Sequence, residues 1–185
     1  PGDEIIVTNQ DHEANIGAWR KLKNHGAIIK EWKLNPKNGE LEIETLKSLI
    51  SNKTKIIAVT HCSNIVGSIN NLKLITQIAH ENNIFVVGDG VSYAPHGFPD
   101  VKELDVDFYA FSLYKTYGPH LALLYGKREI LQNLTEKETQ LSHKIQELDL
   151  RNSLLSDNLD LDYIETLIRE RFLFGKKNEK IYIIK

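Results

Sequence analysis

Short runs of apolar, largely β-branched or aromatic residues alternate with longer stretches of helical spacing over the first 128 residues of this 185-residue chain. Residues 4–8 (EIIVT) read as a buried strand, residues 27–32 (AIIKEW) as the next and residues 55–60 (KIIAVT) as a third. Residues 84–87 (IFVV), 106–111 (VDFYAF) and 121–125 (LALLY) continue the series. Residues 15–23 suit a helix with Asp11 as its N-cap and Gly26 as its stop. Asn35-Pro36-Lys37-Asn38-Gly39 is a turn, and Ile43, Leu46, Leu49 and Ile50 recur at helical spacing. Leu72, Ile75, Ile78 and Ala79 share one face of a further helix, capped by Asn70 or Asn71 and closing at Asn82-Asn83. Strands separated by helical patterns of this kind predict an α/β fold, a mainly parallel sheet flanked by helices.

The chemistry-bearing residues gather where the apolar runs stop. Residues 106–111 run into Ser112-Leu113-Tyr114 and deliver Lys115 to a loop that continues Thr116-Tyr117-Gly118-Pro119-His120. A lysine between hydroxyls at a strand end, followed by a Gly-Pro turn, is badly placed for a solvated surface charge. The strand at 84–87 ends in Gly88-Asp89-Gly90, the first strand is followed by His12, and the third by His61-Cys62-Ser63-Asn64. Parallel sheets bind ligands outside the carboxyl ends of their strands. An amine and a carboxylate at two such ends suit pyridoxal phosphate, the lysine holding the aldehyde as a Schiff base and the acid keeping the pyridine nitrogen protonated. On spacing alone, a buried salt bridge or two unrelated loop charges accounts for the pair equally well. For His12 the residue-level alternative is a ring that merely caps the following helix.

The stretch VVGDGVSYAPHGFPDVKELDVDFYAFSLYKTYGPHLALLYG resembles the lysine region of the class V aminotransferase family, and within it the cysteine desulfurase-like branch; the likeness runs from about residue 1 to about residue 130. It implies part of the large domain of a pyridoxal phosphate-dependent transferase of fold type I, with the strand at 121–125 antiparallel. It implies Lys115 as the Schiff-base lysine, Asp89 as the pyridinium partner and His12 as the ring-stacking proton shuttle. Asn64 would lie beside the cofactor's phenolic oxygen, and Ser112 and Tyr114 would contact the phosphate. Two positions depart from the pattern: Ser92 stands where many relatives carry a longer glutamine, and Tyr114 where desulfurases commonly have histidine. Cys62 is not placed as the desulfurase nucleophile, which lies on a loop in the later part of the related enzymes; it reads as a small buried filler. Tyr93 and His96 line the substrate entrance or pack within their loop, packing being the preferred reading.

Composition narrows the field further. A net charge of −2 argues against a nucleic-acid binder relying on a broad basic surface. A single cysteine excludes an intrachain disulfide and fits a reducing, cytoplasmic setting. No apolar stretch approaches the ~18 residues of a membrane span, and no metal-ligand pattern stands out. The chain opens on Pro1 and reads as a fragment or a processed product.

The character changes near residue 128. Leu134, Leu141, Leu148 and Leu155 recur every seven residues, with Leu131, Ile145 and Asn152 at the companion position and Glu138 as a flaw. This is either a coiled coil or an amphipathic helix packed on the α/β domain. The tail DLDYIETLIRERFLFGKKNEKIYII resembles the carboxyl-terminal part of the bacterial septum formation initiator family, coiled-coil proteins of cell division. Residues 1–128 are therefore expected to be a transferase-like fragment and residues 129–185 a heptad helix with a septum-initiator-like tail, joined by fusion or by a joining error. The expected function is that of a pyridoxal phosphate enzyme acting on a small amino acid, homodimeric when full-length and truncated here to weak or no turnover. The alternative is a coiled-coil interaction protein of bacterial division, docking on a partner through residues 129–185.

Overall fold

The computed structural model describes residues 1–156 and residue 166, with the backbone alone for 154–156. Six strands form one sheet: β1 (Glu4–Thr8), β2 (Ile28–Trp32), β3 (Thr54–Thr60), β4 (Phe85–Asp89), β5 (Phe108–Ser112) and β6 (Ala122–Gly126). Their spatial order is β2-β1-β3-β4-β5-β6. The first five strands pair in parallel, and β6 pairs antiparallel to β5. Among residues 1–156 five α-helices accompany them: α1 (Glu13–Lys21), α2 (Ile43–Leu49), α3 (Leu72–Glu81), the short α4 (Val101–Leu104) and α5 (Arg128–Ser156).

β1 is buried along its whole length, and alternate side chains serve opposite faces of the sheet. Ile6 joins Trp32, Ile57, Val59, Leu46 of α2, and Leu72 and Ile75 of α3 in the larger core. Ile5 and Val7 join Ala58 and Ile16 of α1 in the smaller one, with Trp19 packed against it. Residues 57, 59, 61 thus point toward the larger core and residues 58, 60 toward the smaller, a division that decides which strand-end residues meet.

One local reading is corrected and one open alternative is decided. The N-cap of α1 is His12, not Asp11: its Nδ1 accepts from the Ala14 amide at 3.0 Å. The Asp11 carboxylate is engaged instead by the His12 amide at 2.7 Å and by the Asn15 side-chain amide at 2.6 Å, leaving the orphan helix amide to the imidazole. The helix consequently starts at Glu13, and Gly26, at φ +87°, ends the turn that follows it. Asn71 rather than Asn70 caps α3, accepting from the Leu74 amide at 3.1 Å, because the Asn70 side chain is taken up in a buried network.

The end of the sheet away from the strand carboxyl termini is fastened by charge. Asp107, buried just ahead of β5, accepts from the Val86 amide of β4 at 2.7 Å and lies 3.0 Å from His80 Nε2 of α3 and 3.3 Å from Lys127 Nζ beyond β6. One carboxylate therefore ties three strands and a helix. Among the described residues no helix is long and apolar enough to cross a membrane.

The chain divides into two compact units, one of residues 1–131 and one beginning at Gln132. Within α5 the heptad residues Leu134, Leu141, Ile145 and Leu148 are exposed. The septum-initiator-like tail, residues 157–185, lies outside the described residues apart from residue 166.

Replacing Asp107 leaves the Val86 amide without its side-chain acceptor and removes the buried partner of His80 Nε2, while Lys127 and His80 Nδ1 keep Asp105. Asp107→Ala is expected to cost about 3–5 kcal/mol of stability, the scale for breaking one side of a buried charged network, as measured by urea denaturation.

Candidate functional site

Four chain segments meet at the carboxyl ends of the central strands, and a buried polar network holds two of them together. Gln10, fully buried after β1, donates to Asn70 Oδ1 at 3.0 Å and accepts from Ser68 Oγ at 2.9 Å. Ser63 Oγ donates to the Gln10 carbonyl at 2.6 Å, and Asn70 donates to the Thr60 carbonyl at 2.8 Å. These bonds fix the segment carrying His12 against the loop carrying Asn64, where apolar packing alone would set neither direction nor register. Asp89 is the last residue of β4, level with Thr60 of β3. From Ser112, a short 3₁₀ turn (Leu113–Thr116) carries Lys115 over the end of β5.

His12, Asn64, Asp89, Ser92, Ser112, Tyr114 and Lys115, the residues singled out by sequence, all line one cavity of about 130 Å³. This is smaller than the roughly 300–1,000 Å³ of most complete small-molecule pockets. Asp11 and Thr60 line it as well. The sequence reading gave Asp11 only a capping role, although a carboxylate directly before His12 at a strand end was signal enough to include it.

The acids of this cavity are held in an unfavourable state. Burial, and then the charge of Asp89, push the Asp11 carboxyl up to about 6, against the opposing hydrogen bonds of Asn15 and the His12 amide. Asp89 is also pushed up by withdrawal from water; the Val91 amide, bound at 2.8 Å, and the charges of Lys115 and His12 act in the opposite direction. Lys115 and His12 are thus close enough to Asp89 to act on its charge.

Several expectations about exposure are corrected. Lys115 is exposed rather than withdrawn from water, because the 3₁₀ turn lifts it clear of the sheet once β5 has ended. Cys62 is half-buried rather than a buried filler; it sits in an isolated bridge with Ile69, with Sγ 3.9 Å from the Gly67 carbonyl, and does not line the cavity. Tyr93 packs, stacked on His61 with ring centroids 3.6 Å apart, while His96 is exposed. Tyr114 stacks on His120 at 4.8 Å, which holds a half-exposed phenol at the cavity rim. Among the described residues no cluster of His, Cys, Asp and Glu is placed to hold a metal ion.

A parallel sheet whose central strands present an acid, an amine and an imidazole to one cavity at their carboxyl ends defines an α/β ligand-binding domain. Comparison with known proteins gives the family. The family model for class V aminotransferases matches residues 1–160, and this chain belongs to that family. The match runs past residue 130, where the resemblance was expected to stop, and takes in all of α5. An aminotransferase-like protein of Gibberella zeae is 53% identical over 131 residues, 69% of this chain and 33% of the relative. A probable cysteine desulfurase of Halalkalibacterium halodurans is 42% identical over 139 residues, 74% of this chain and 34% of the relative. Among solved structures, the cysteine desulfurase CsdA of Escherichia coli superposes with a TM-score of 0.67 at 38% identity, over 71% of this chain and 33% of that one. The chain spans about a third of the length of these relatives.

The coupling of the two acids can be read directly. In ¹³C carboxyl NMR titrations Asp11 is expected to titrate at about 6 and to move down toward 3.8 in Asp89→Asn, which removes the repelling charge. Because its folded-state value is raised, Asp11 favours the folded state most below pH 3.8 and loses that contribution as pH rises from 3.8 to about 6.

Proposed function

We propose that the strand-end cavity is a pyridoxal 5'-phosphate site of an enzyme that acts on an amino acid, and that within class V the chain stands with the cysteine desulfurase-like branch. The observation that carries this reading is the convergence of Asp89 and Lys115 on one cavity, with the lysine's charge acting on the carboxyl. The donor set suits the group: an acid for a ring nitrogen, an amine for an aldehyde, hydroxyls for phosphate oxygens. An acid raised by burial also gains from a cation brought against it, so a protonated pyridine relieves the penalty that Asp89 carries alone.

When bound, the cofactor supplies an aldehyde for amine capture and a ring that draws electrons from a bond broken at the substrate α-carbon. The residues of this chain do the rest. Asp89 would hold the proton at the ring nitrogen. Lys115 Nζ is the amine that would hold the aldehyde, and as a free amine it would serve as the base for the substrate α-carbon proton. His12 covers the ring; its Nδ1 is committed to the Ala14 amide, which leaves the Nε2–H tautomer facing outward. The Asn64 amide would donate to the phenolic oxygen and the Ser112 and Tyr114 hydroxyls to the phosphate, while Ser92, shorter than glutamine, would make at most a weakened contact.

His12, Asn64, Tyr114 and Lys115 are exposed in this chain, and an open cavity does not exclude water from the reacting atoms. Weak or no turnover of free cysteine to alanine is therefore the outcome expected of the chain alone. The deciding experiment is colour. The 185-residue chain mixed with pyridoxal phosphate should turn yellow, borohydride should fix the colour to protein, and Lys115→Ala should abolish the fixed label. Equal labelling in Lys115→Ala would reject the assignment.

A second reading, an interaction module, is favoured by the exposed leucines of α5. It requires helix pairing through that seam. Sedimentation should then reveal association that Leu141→Lys combined with Leu148→Lys abolishes, and a monomer at every concentration removes this reading.

A further inference from the structure

Behind Asp89, on the face of the sheet opposite the cavity, lies a buried polar group that the proposed chemistry does not use. His61 is 5% exposed and Tyr109 1% exposed. Their Nδ1 and hydroxyl lie 2.8 Å apart, and Tyr93 stacks on the imidazole at 3.6 Å. We propose that the His61–Tyr109 pair, clamped by Tyr93, is the positioning device for Asp89, fixing the end of β4 so that the carboxyl is presented to the cavity and kept from water.

The geometry supplies the reason. Tyr109 is level with Gly88 across the β4–β5 pairing, and a Cβ on Gly88 would lie 2.9 Å from its ring. A Cβ on Gly90 would overlap the Tyr109 ring and hydroxyl outright. The ring therefore occupies the space left by the two glycines that flank Asp89, pressing against the strand from the side its carboxyl does not occupy. The His61 amide donates to the Asp89 carbonyl at 2.7 Å. Beyond it, the Tyr93 and Ala94 amides donate to the Gly90 carbonyl at 3.1 and 2.8 Å, which brings Tyr93 back over His61. The backbone of Asp89 is held from three directions, and the hydrogen bond between His61 and Tyr109 joins them.

The pair suits this work because both partners stay neutral. Withdrawal from water pushes the His61 imidazole down to about 4 and the Tyr109 phenol up, so neither places a charge behind Asp89 near neutral pH. An acid–base pair at this spot would instead bias the charge of the carboxyl it supports.

The value of the pair to catalysis rests on the cofactor reading above; its hold on Asp89 does not, and the test keeps them apart. In the intact chain free of cofactor, ¹³C NMR follows the Asp89 carboxyl, which titrates above the ordinary 3.8. Tyr109→Phe keeps the ring and removes the hydroxyl, and His61→Leu removes its hydrogen-bonding partner. Both are expected to bring the Asp89 midpoint down toward 3.8 as the strand end loosens and water enters. His61→Asn, which restores a hydrogen-bonding group near the Nδ1 position, should recover the wild-type midpoint. In the same proteins the dissociation constant for pyridoxal phosphate should rise about tenfold for the first two variants and recover in His61→Asn, as for loss of one net hydrogen bond. An unmoved midpoint in folded Tyr109→Phe and His61→Leu, with only the melting temperature lowered, overturns the proposal. Should Tyr109→Phe fail to fold, an Asp89 midpoint in His61→Asn equal to that in His61→Leu overturns it as well. Absence of any cofactor binding, wild type included, rejects the cofactor reading, while the titration still decides the positioning role.

Discussion

The desolvation of Asp89 is the constraint around which the strand ends are arranged. A carboxyl at the end of a central strand loses water on both sides, and here the first compensations are one backbone amide and two charges acting from a distance. A second acid, Asp11, opens on the same cavity and is itself raised by burial and by its neighbour. Nothing in the folding of an α/β sheet requires two poorly compensated carboxyls in one place. Such an arrangement suits a positively charged partner, since perturbed electrostatics cluster where chemistry is done.

The two ends of the sheet divide the labour. At one end Asp107 accepts from a strand amide and faces His80 and Lys127, so its charge is answered within the fold. At the other, the polar groups are sorted by face. The Gln10–Asn70 network and the His61–Tyr109 pair are internally satisfied and rigid, whereas Asp11, Asp89 and Lys115 open on the cavity. Satisfied networks hold geometry, and incompletely answered charges remain available to a ligand.

The class V aminotransferase family model covers all six strands and α5. The matched span supplies the central strands and the lysine turn, and it is about a third of the length of the curated relatives. The cavity that Lys115, His12 and Asn64 line is small, and all three are exposed, so the residues are gathered without being dried.

Much of this could be read from the residues alone. Periodicity located six strands to within a few residues, since β-branched runs such as KIIAVT admit few other uses, and strand-end position picked out His12, Asn64, Asp89 and Lys115 together. The errors were local ones of side-chain competition. Asp11 and His12 are both able to cap a helix, and only the presence of Asn15 one turn later, drawing off the carboxylate, assigned the cap to the imidazole. Exposure was equally illegible, because the lift given to Lys115 by a four-residue turn depends on where β5 stops hydrogen bonding. Linear pattern determined the elements, their order and the chemical inventory of the strand ends, because periodicity and residue type are properties of neighbours in the chain. The tertiary structure decided which face each strand-end residue took, and so that Tyr109 stands behind Asp89 while Lys115 stands before it, because that choice is made by strand register across the sheet.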